Sequence, residues 1–317
     1  MNDLKIPGLS DIEDAYGKIK NYIHKTPVLG SSLINEMFGA KIWFKCENFQ
    51  KVGAFKFRGA SNAVMSLGKD ELKRGLITHS SGNHAAAVSL AARMRGAKAY
   101  IVMPSNSPDV KKEAVASYGA EVHFCEPNLK ARDKAAREII ERTGAVFIHA
   151  YDNFNVISGQ GTAGLELVRD YPGLDIVMGP VGGGGLMSGT SIAVKGLDPR
   201  IKVYGAEPLG ADDAYRSLKS GEYIPDHNPD TIADGLLTTL SKRTFEILSS
   251  NLDDIFTVRE ESIIKCMKII WERMKIVIEP SSAVSLAVIE ENRELFRNKK
   301  LGIILSGGNV DLRKLPF

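Results

Sequence analysis

The chain has 317 residues, of which 44% are hydrophobic, 25% charged and 7% aromatic. That balance excludes a disordered or fibrous chain and suits a soluble α/β protein large enough for two lobes with a ligand cleft between them. Forty-one Lys and Arg against 38 Asp and Glu leave a formal charge of +3 without a basic block, so nucleic-acid binding has no support. The opening MNDLKIPGLSDIEDAYGKIK carries neither a secretory h-region nor a bilayer-spanning run, and a cytoplasmic protein with no membrane partner is expected.

In chain order, KIWFKCEN reads as an N-terminal strand. From Gly75 onward, apolar runs alternate with amphipathic stretches: strand GLITHSS, helix SGNHAAAVSLAARMRGA, strand KAYIVMP, a helix opening at Ser107-Pro108, strand AEVHFCE, the charged helix NLKARDKAAREIIERTGA and strand AVFIHA. This is βαβ grammar, and it predicts a small domain over residues 75–148. Helix GTAGLELVRDY, strand DIVMGP leading into four glycines, strand KVYGAEP and strand LGIIL follow. With KIWFKCEN they predict a larger, discontinuous domain over 1–74 and 149–317. The three cysteines, Cys46, Cys125 and Cys266, have no C-x-x-C spacing, so neither a disulfide framework nor a zinc site is indicated.

Four segments carry chemistry. In GAFKFRGA, Lys56 sits between phenylalanines, and a poorly solvated lysine loses its proton more easily and can then attack an aldehyde. His79-Ser80-Ser81-Gly82-Asn83-His84 falls where a strand turns into a helix, and amides at a helix start attract a carboxylate. Gly182-Gly183-Gly184-Gly185 lets backbone amides wrap a phosphate, yet it matches neither G-x-G-x-x-G nor the P-loop. Ser306-Gly307-Gly308-Asn309 ends a strand where α/β sheets present ligand contacts. A serine there can donate to a pyridine nitrogen but cannot keep it protonated, which favours β-elimination over transamination. Taken singly, each segment also admits a plainer reading: a surface lysine, a helix cap, a bare glycine loop, a strand-ending turn.

Taken together, KCENFQKVGAFKFRGA, SSGNH, GGGG and SGGNVDL resemble the fold-type II enzymes dependent on pyridoxal 5'-phosphate (PLP), in particular serine racemases and catabolic serine/threonine dehydratases. The resemblance runs from HKTPV to SGGNVDL. It implies a two-lobed α/β fold of the tryptophan synthase β type, with open twisted sheets covered by helices on both faces. It makes Lys56 the Schiff-base lysine, Phe55 the residue packed on the ring, Asn83 the partner of the phenolic oxygen, Gly182, Gly183, Gly184, Gly185 and Leu186 the phosphate cup, and Ser306 the pyridine partner.

Ser80, Ser81, Asn83 and His84 match the loop that receives the substrate carboxylate, and Arg132 and Thr238 match substrate-proximal positions. Ser81 also matches the hydroxyl that, in racemases, stands on the cofactor face opposite the lysine; two-sided proton transfer requires such a group. Glu207, Ala211 and Asp213 in GAEPLGADDA match a divalent-cation site of the family, of a kind suited to Mg²⁺, Mn²⁺ or Ca²⁺. Ala54 and Ala86 replace residues more frequent in relatives, and Tyr151 stands where vertebrate serine racemases have asparagine. The expected activity is dehydration and deamination of a small β-hydroxy amino acid, L-serine or L-threonine, to pyruvate or 2-oxobutyrate and ammonia. Serine racemisation with side dehydration, 3-hydroxyaspartate dehydration and a non-catalytic phosphate-ligand-binding role are the alternatives. A homodimer is the family expectation.

Overall fold

In the computed structural model, residues 4–80, 82–107, 109–225 and 228–317 are described. Ten strands among them build two sheets. They are β1 (Val28–Gly30), β2 (Lys41–Cys46), β3 (Leu76–His79), β4 (Ala99–Pro104), β5 (Glu121–Cys125), β6 (Val146–Phe147), β7 (Ile176–Pro180), β8 (Lys202–Pro208), β9 (Asp254–Val258) and β10 (Lys300–Leu305). The larger sheet has the order β1-β2-β10-β7-β8-β9 and the smaller β5-β4-β3-β6. All described pairings are parallel except β1 with β2.

Parallel sheets need cover on both faces, and the strand sequences supply it. Along β7, Ile176 and Met178 join one hydrophobic cluster while Val177 joins another. Along β10, Leu301, Ile303 and Leu305 face the first cluster and Ile304 the second. On one side lies the helix Pro280–Glu291, buried at every position from Ser281 to Ile289. On the other lies the helix Gly185–Leu197. In the smaller sheet, Ile77, Tyr100 and Val102 pack with Ala136 and Ile139 of the helix Leu129–Thr143, while Leu76 and Ala99 pack with the alanines of the helix Asn83–Met94.

The helix Phe154–Asp170 begins seven residues before the expected GTAGLELVRDY. Asn153 starts it, accepting the Val156 amide on its side chain at 3.0 Å. Its interior glycines, poor for helix propensity, serve close packing. A Cβ on Gly159 would lie 2.6 Å from the Arg58 carbonyl oxygen and 2.7 Å from Gly59 Cα. A Cβ on Gly161 would lie 2.7 Å from the Gly189 carbonyl oxygen, and one on Gly189 would meet the Ile157 carbonyl. One central helix thus sits backbone to backbone against the helix that begins at Lys56 (Lys56–Met65) and the helix that follows the four glycines.

Four charges lie under this seam. Arg58 is fully buried and donates from Nε to Glu47 at 2.7 Å and from Nη2 to Glu166 at 2.8 Å, while buried Lys45 donates to Glu166 at 2.5 Å. Thr26 donates to Glu47 at 2.5 Å. Two cations and two carboxylates cancel, which is the condition for keeping such charges inside a protein.

Gly189→Ala should lower unfolding free energy by about 2 kcal/mol in urea titration, since two helix backbones have to separate. A change under about 0.5 kcal/mol would show that the seam can relax.

Candidate active site

Three loops leave the C-terminal edges of β2, β7 and β10, neighbours at the middle of the larger sheet, where open α/β sheets place ligands. The β2 loop carries Lys56 and is zipped to the β10 loop. Ala54 pairs with Gly307 in an antiparallel bridge, the Phe55 amide donates to the Ser306 carbonyl at 2.9 Å, and the Gly308 amide donates to the Gly53 carbonyl at 2.9 Å.

Lys56 is the first residue of its helix, half-buried, with Nζ donating to the Ala150 carbonyl at 3.2 Å and lying 5.1 Å from the Phe55 ring centre. Desolvation lowers its pKa to about 8, against an opposing pull from the Glu279 carboxylate. About a tenth of this amine is therefore uncharged at pH 7, far more than for a lysine in water, and only that form attacks a carbonyl.

The β7 loop is the glycine run. Gly182 to Gly185 and Leu186 are buried, Gly184 has φ +82°, and the helix Gly185–Leu197 starts at once. Side chains would not fit: a Cβ on Gly182 would lie 3.0 Å from Leu236 Cα, one on Gly184 2.8 Å from Leu240 and Thr244, and one on Gly185 2.8 Å from Tyr151 Cβ. Bare amides at a helix start form a cradle for a phosphate.

Ser306 is buried, with its hydroxyl 3.1 Å from that of Ser282, which also donates to the Gly307 carbonyl at 2.7 Å. The helix Pro280–Glu291 thereby fixes the β10 loop. Glu279, just before it, accepts both Asn83 Nδ2 contacts at 3.1 Å and the Asn309 amide at 3.2 Å, and Asn309 Nδ2 donates to Asn83 Oδ1 at 2.8 Å. Asn83 opens the helix Asn83–Met94 behind β3, so this network joins the two sheets at the site. Glu279 and Ser282 carried no signal in the sequence: a glutamate before proline is an ordinary helix start.

Ser80 accepts the Gly82 amide at 3.3 Å. Ser81 lies outside the described residues. His84 is buried, with Nε2 donating to the Ile148 carbonyl at 3.0 Å; desolvation, reinforced by the Lys56 charge, brings its pKa to about 3, so it stays neutral. Arg132 is half-buried, and its Nε is buried with no hydrogen-bond partner among the described residues. Thr238 is exposed.

Tyr151 packs against Gly183 and Gly185, and its phenol is pushed up to about 12, mainly by burial. Glu207 and Asp213 are both fully buried. Glu207 accepts the amides of Ala214 at 3.3 Å and Tyr215 at 2.7 Å, and burial with Asp213 nearby raises its pKa well above the usual carboxylate range. Buried Ala211 stands between them in sequence. No cluster of three or more His, Cys, Asp or Glu side chains able to hold a metal occurs among the described residues, nor does a helix long and apolar enough to cross a membrane.

A family model described as pyridoxal-phosphate dependent enzyme matches residues 19–307. The chain is 53% identical over 312 residues to a serine racemase of Dictyostelium discoideum, covering 97% of this chain and 96% of the other. It is 46% identical to a β-hydroxyaspartate dehydratase of Paracoccus denitrificans, covering 98% and 99%. The crystal structure of a T.th. threonine deaminase superposes with a TM-score of 0.92 at 42% identity, covering 96% and 99%. The site fits the cofactor that the family model names: a desolvated amine, a cradle that side chains would fill and a hydroxyl stand on the loops of three adjacent strands.

Capture of added PLP by cofactor-free protein should accelerate about tenfold per pH unit below about 8 and level off above it, because only the neutral amine reacts. Glu279→Gln removes the charge that raises this pKa and should move the bend to lower pH. Stopped-flow absorbance reads both; a rate independent of pH from 6.5 to 9 would remove Lys56 as the attacking group.

Proposed function

Because the chain belongs to the pyridoxal-phosphate dependent enzymes, we propose that it racemises serine and also dehydrates it, both outcomes starting from α-proton removal by Lys56. The observation that carries this reading is the lowered pKa of Lys56, which provides a base near neutral pH against the opposing pull of Glu279. The 53% identity to a serine racemase supports racemisation rather than threonine dehydration as the leading activity.

Bound in this cleft, PLP draws electron density from the substrate Cα and so acidifies its proton. Lys56 would hold it, with Gly182 to Gly185 and Leu186 on its phosphate, Ser306 at its ring nitrogen and Asn83 at its phenolic oxygen. Amides at the start of the helix Asn83–Met94 receive the substrate carboxylate. Lys56 then takes the α-proton on one face. A proton returned from the opposite face, by Ser81, gives the enantiomer. Departure of the β-hydroxyl instead gives an enamine that hydrolyses to pyruvate and ammonia. The neutral partner Ser306 leaves the ring a moderate electron sink, which disfavours transamination.

The paired carboxylates Glu207 and Asp213, with the Ala211 carbonyl, would take a hard divalent cation such as Mg²⁺, which would replace the proton that burial and Asp213 favour on Glu207. A second reading, 3-hydroxyaspartate dehydration, is favoured by one observation: the Nε of Arg132, without a hydrogen-bond partner among the described residues, would serve a second carboxylate. The relative named for that reaction, at 46% identity, is consistent with it.

Incubation with L-serine, L-threonine and 3-hydroxyaspartate, with and without Mg²⁺, should yield D-serine and pyruvate from L-serine, read by chiral chromatography and ketoacid assay. Lys56→Ala should lose both products, and Ser81→Ala should lose D-serine while keeping pyruvate. Undiminished pyruvate from Lys56→Ala would falsify the assignment. Turnover of 3-hydroxyaspartate well above that of serine would select the second reading.

A further inference from the structure

His149 follows β6 and directly precedes the residue whose carbonyl holds Lys56 Nζ. Its Nδ1 accepts two backbone amides, from Asp152 at 2.9 Å and Tyr151 at 3.3 Å. An acceptor nitrogen cannot carry the proton, so in the neutral ring the proton sits on Nε2. Desolvation, opposed by the Asp152 carboxylate and reinforced by His79, Lys56 and Arg243, holds the ring pKa at about 4. His149 is thus a neutral imidazole of one tautomer across the physiological range.

Nε2, on the far edge from the capped loop, makes no hydrogen bond among the described residues, so its N–H is left without a protein acceptor there. The ring is flanked by Tyr151, edge-on at 4.6 Å, and by His79 at 6.3 Å. Tyr151 in turn packs on the glycine cradle, and His79 ends β3. His149 therefore stands in the wall between Lys56, the phosphate cradle and the end of β3. Resting on the serine reading above, the substrate's carboxylate goes to the helix start at Asn83 and its Cα–H to Lys56. Its β-carbon then extends toward the remaining wall.

We propose that His149 is a specificity-determining residue whose Nε2–H donates a hydrogen bond to the β-oxygen of the substrate. A neutral Nε2–H is far too weak an acid to hand over its proton, so it steadies the β-oxygen without protonating it. The donor is matched to a hydroxylated substrate and gives an unhydroxylated one nothing.

Two variants divide the side chain's functions. His149→Asn keeps a short acceptor for the loop amides, as Asn153 does for Val156, and loses the distant donor. His149→Gln places an amide donor near the Nε2 position and loses the loop acceptor. Holoenzymes are titrated with L-serine and L-alanine, following the cofactor absorbance, alongside thermal midpoints. His149→Asn should bind serine about five- to tenfold more weakly, bind alanine within about twofold of the parent and keep its thermal midpoint. His149→Gln should recover part of the serine-over-alanine preference while melting lower. An unchanged serine-to-alanine ratio in His149→Asn, or an equal loss for both ligands, overturns the proposal and leaves His149 as a loop cap. The ratio is read on binding, so it is distinguishable from a failure of serine turnover in the parent enzyme.

Discussion

An amine attacks a carbonyl only when uncharged, and a lysine in water is almost entirely charged at neutral pH. Desolvating the Lys56 amine is therefore the constraint that much of the surrounding structure serves. The side chain leaves the start of a helix, where the dipole also disfavours a cation, and its helix is clamped by glycine contacts to the helix Phe154–Asp170. The fully buried Arg58, two residues on, is tied to Glu47 and Glu166, with Lys45 completing a neutral set. That neutrality matters: the group fixes the helix start without imposing a field on Lys56, whose protonation is left to burial and to Glu279.

The same economy of charge runs through the cleft. His84 and His149 are held neutral by burial, and Tyr151 is held protonated. These rings offer hydrogen bonds and shape, and in the proposed reaction the proton transfers fall to Lys56 and Ser81. In that proposed reaction one deprotonation ends in inversion or in loss of the β-hydroxyl, depending on which of reprotonation and departure is faster. Glu279, Asn83 and Asn309 join the β10 loop to the helix behind β3, so one network ties the two sheets together at the site.

Much of the fold could be read locally. KAYIVMP and KVYGAEP are compact apolar runs bounded by turn residues and became β4 and β8. DIFTV and the three-residue VLG became β9 and β1 without having been anticipated, because an edge strand that pairs on one side needs little apolar pattern of its own. The glycines of the helix Phe154–Asp170 read as breakers; their purpose is visible only once Gly59 and Gly189 lie beside them. In the site, GAFKFRGA, GGGG and SGGN stood out in the sequence, and the loops that carry them leave neighbouring strands of the larger sheet. His149 and Glu279 did not, since a histidine after a short strand and a glutamate before a proline acquire meaning only from partners far along the chain. In the proposed function the choice between racemisation and simple elimination turns on Ser81, a single hydroxyl whose effect depends on which face it occupies, and the 53% identity to a serine racemase is what favours racemisation.

The account rests on Lys56 as the residue that holds the cofactor. Borohydride reduction of the holoenzyme, proteolysis and mass spectrometry of the peptides test this directly. A phosphopyridoxyl mass on the peptide containing Lys56, and on no other lysine in stoichiometric amount, is the predicted result. Stoichiometric label on a different lysine, with Lys56 unmodified, would contradict it.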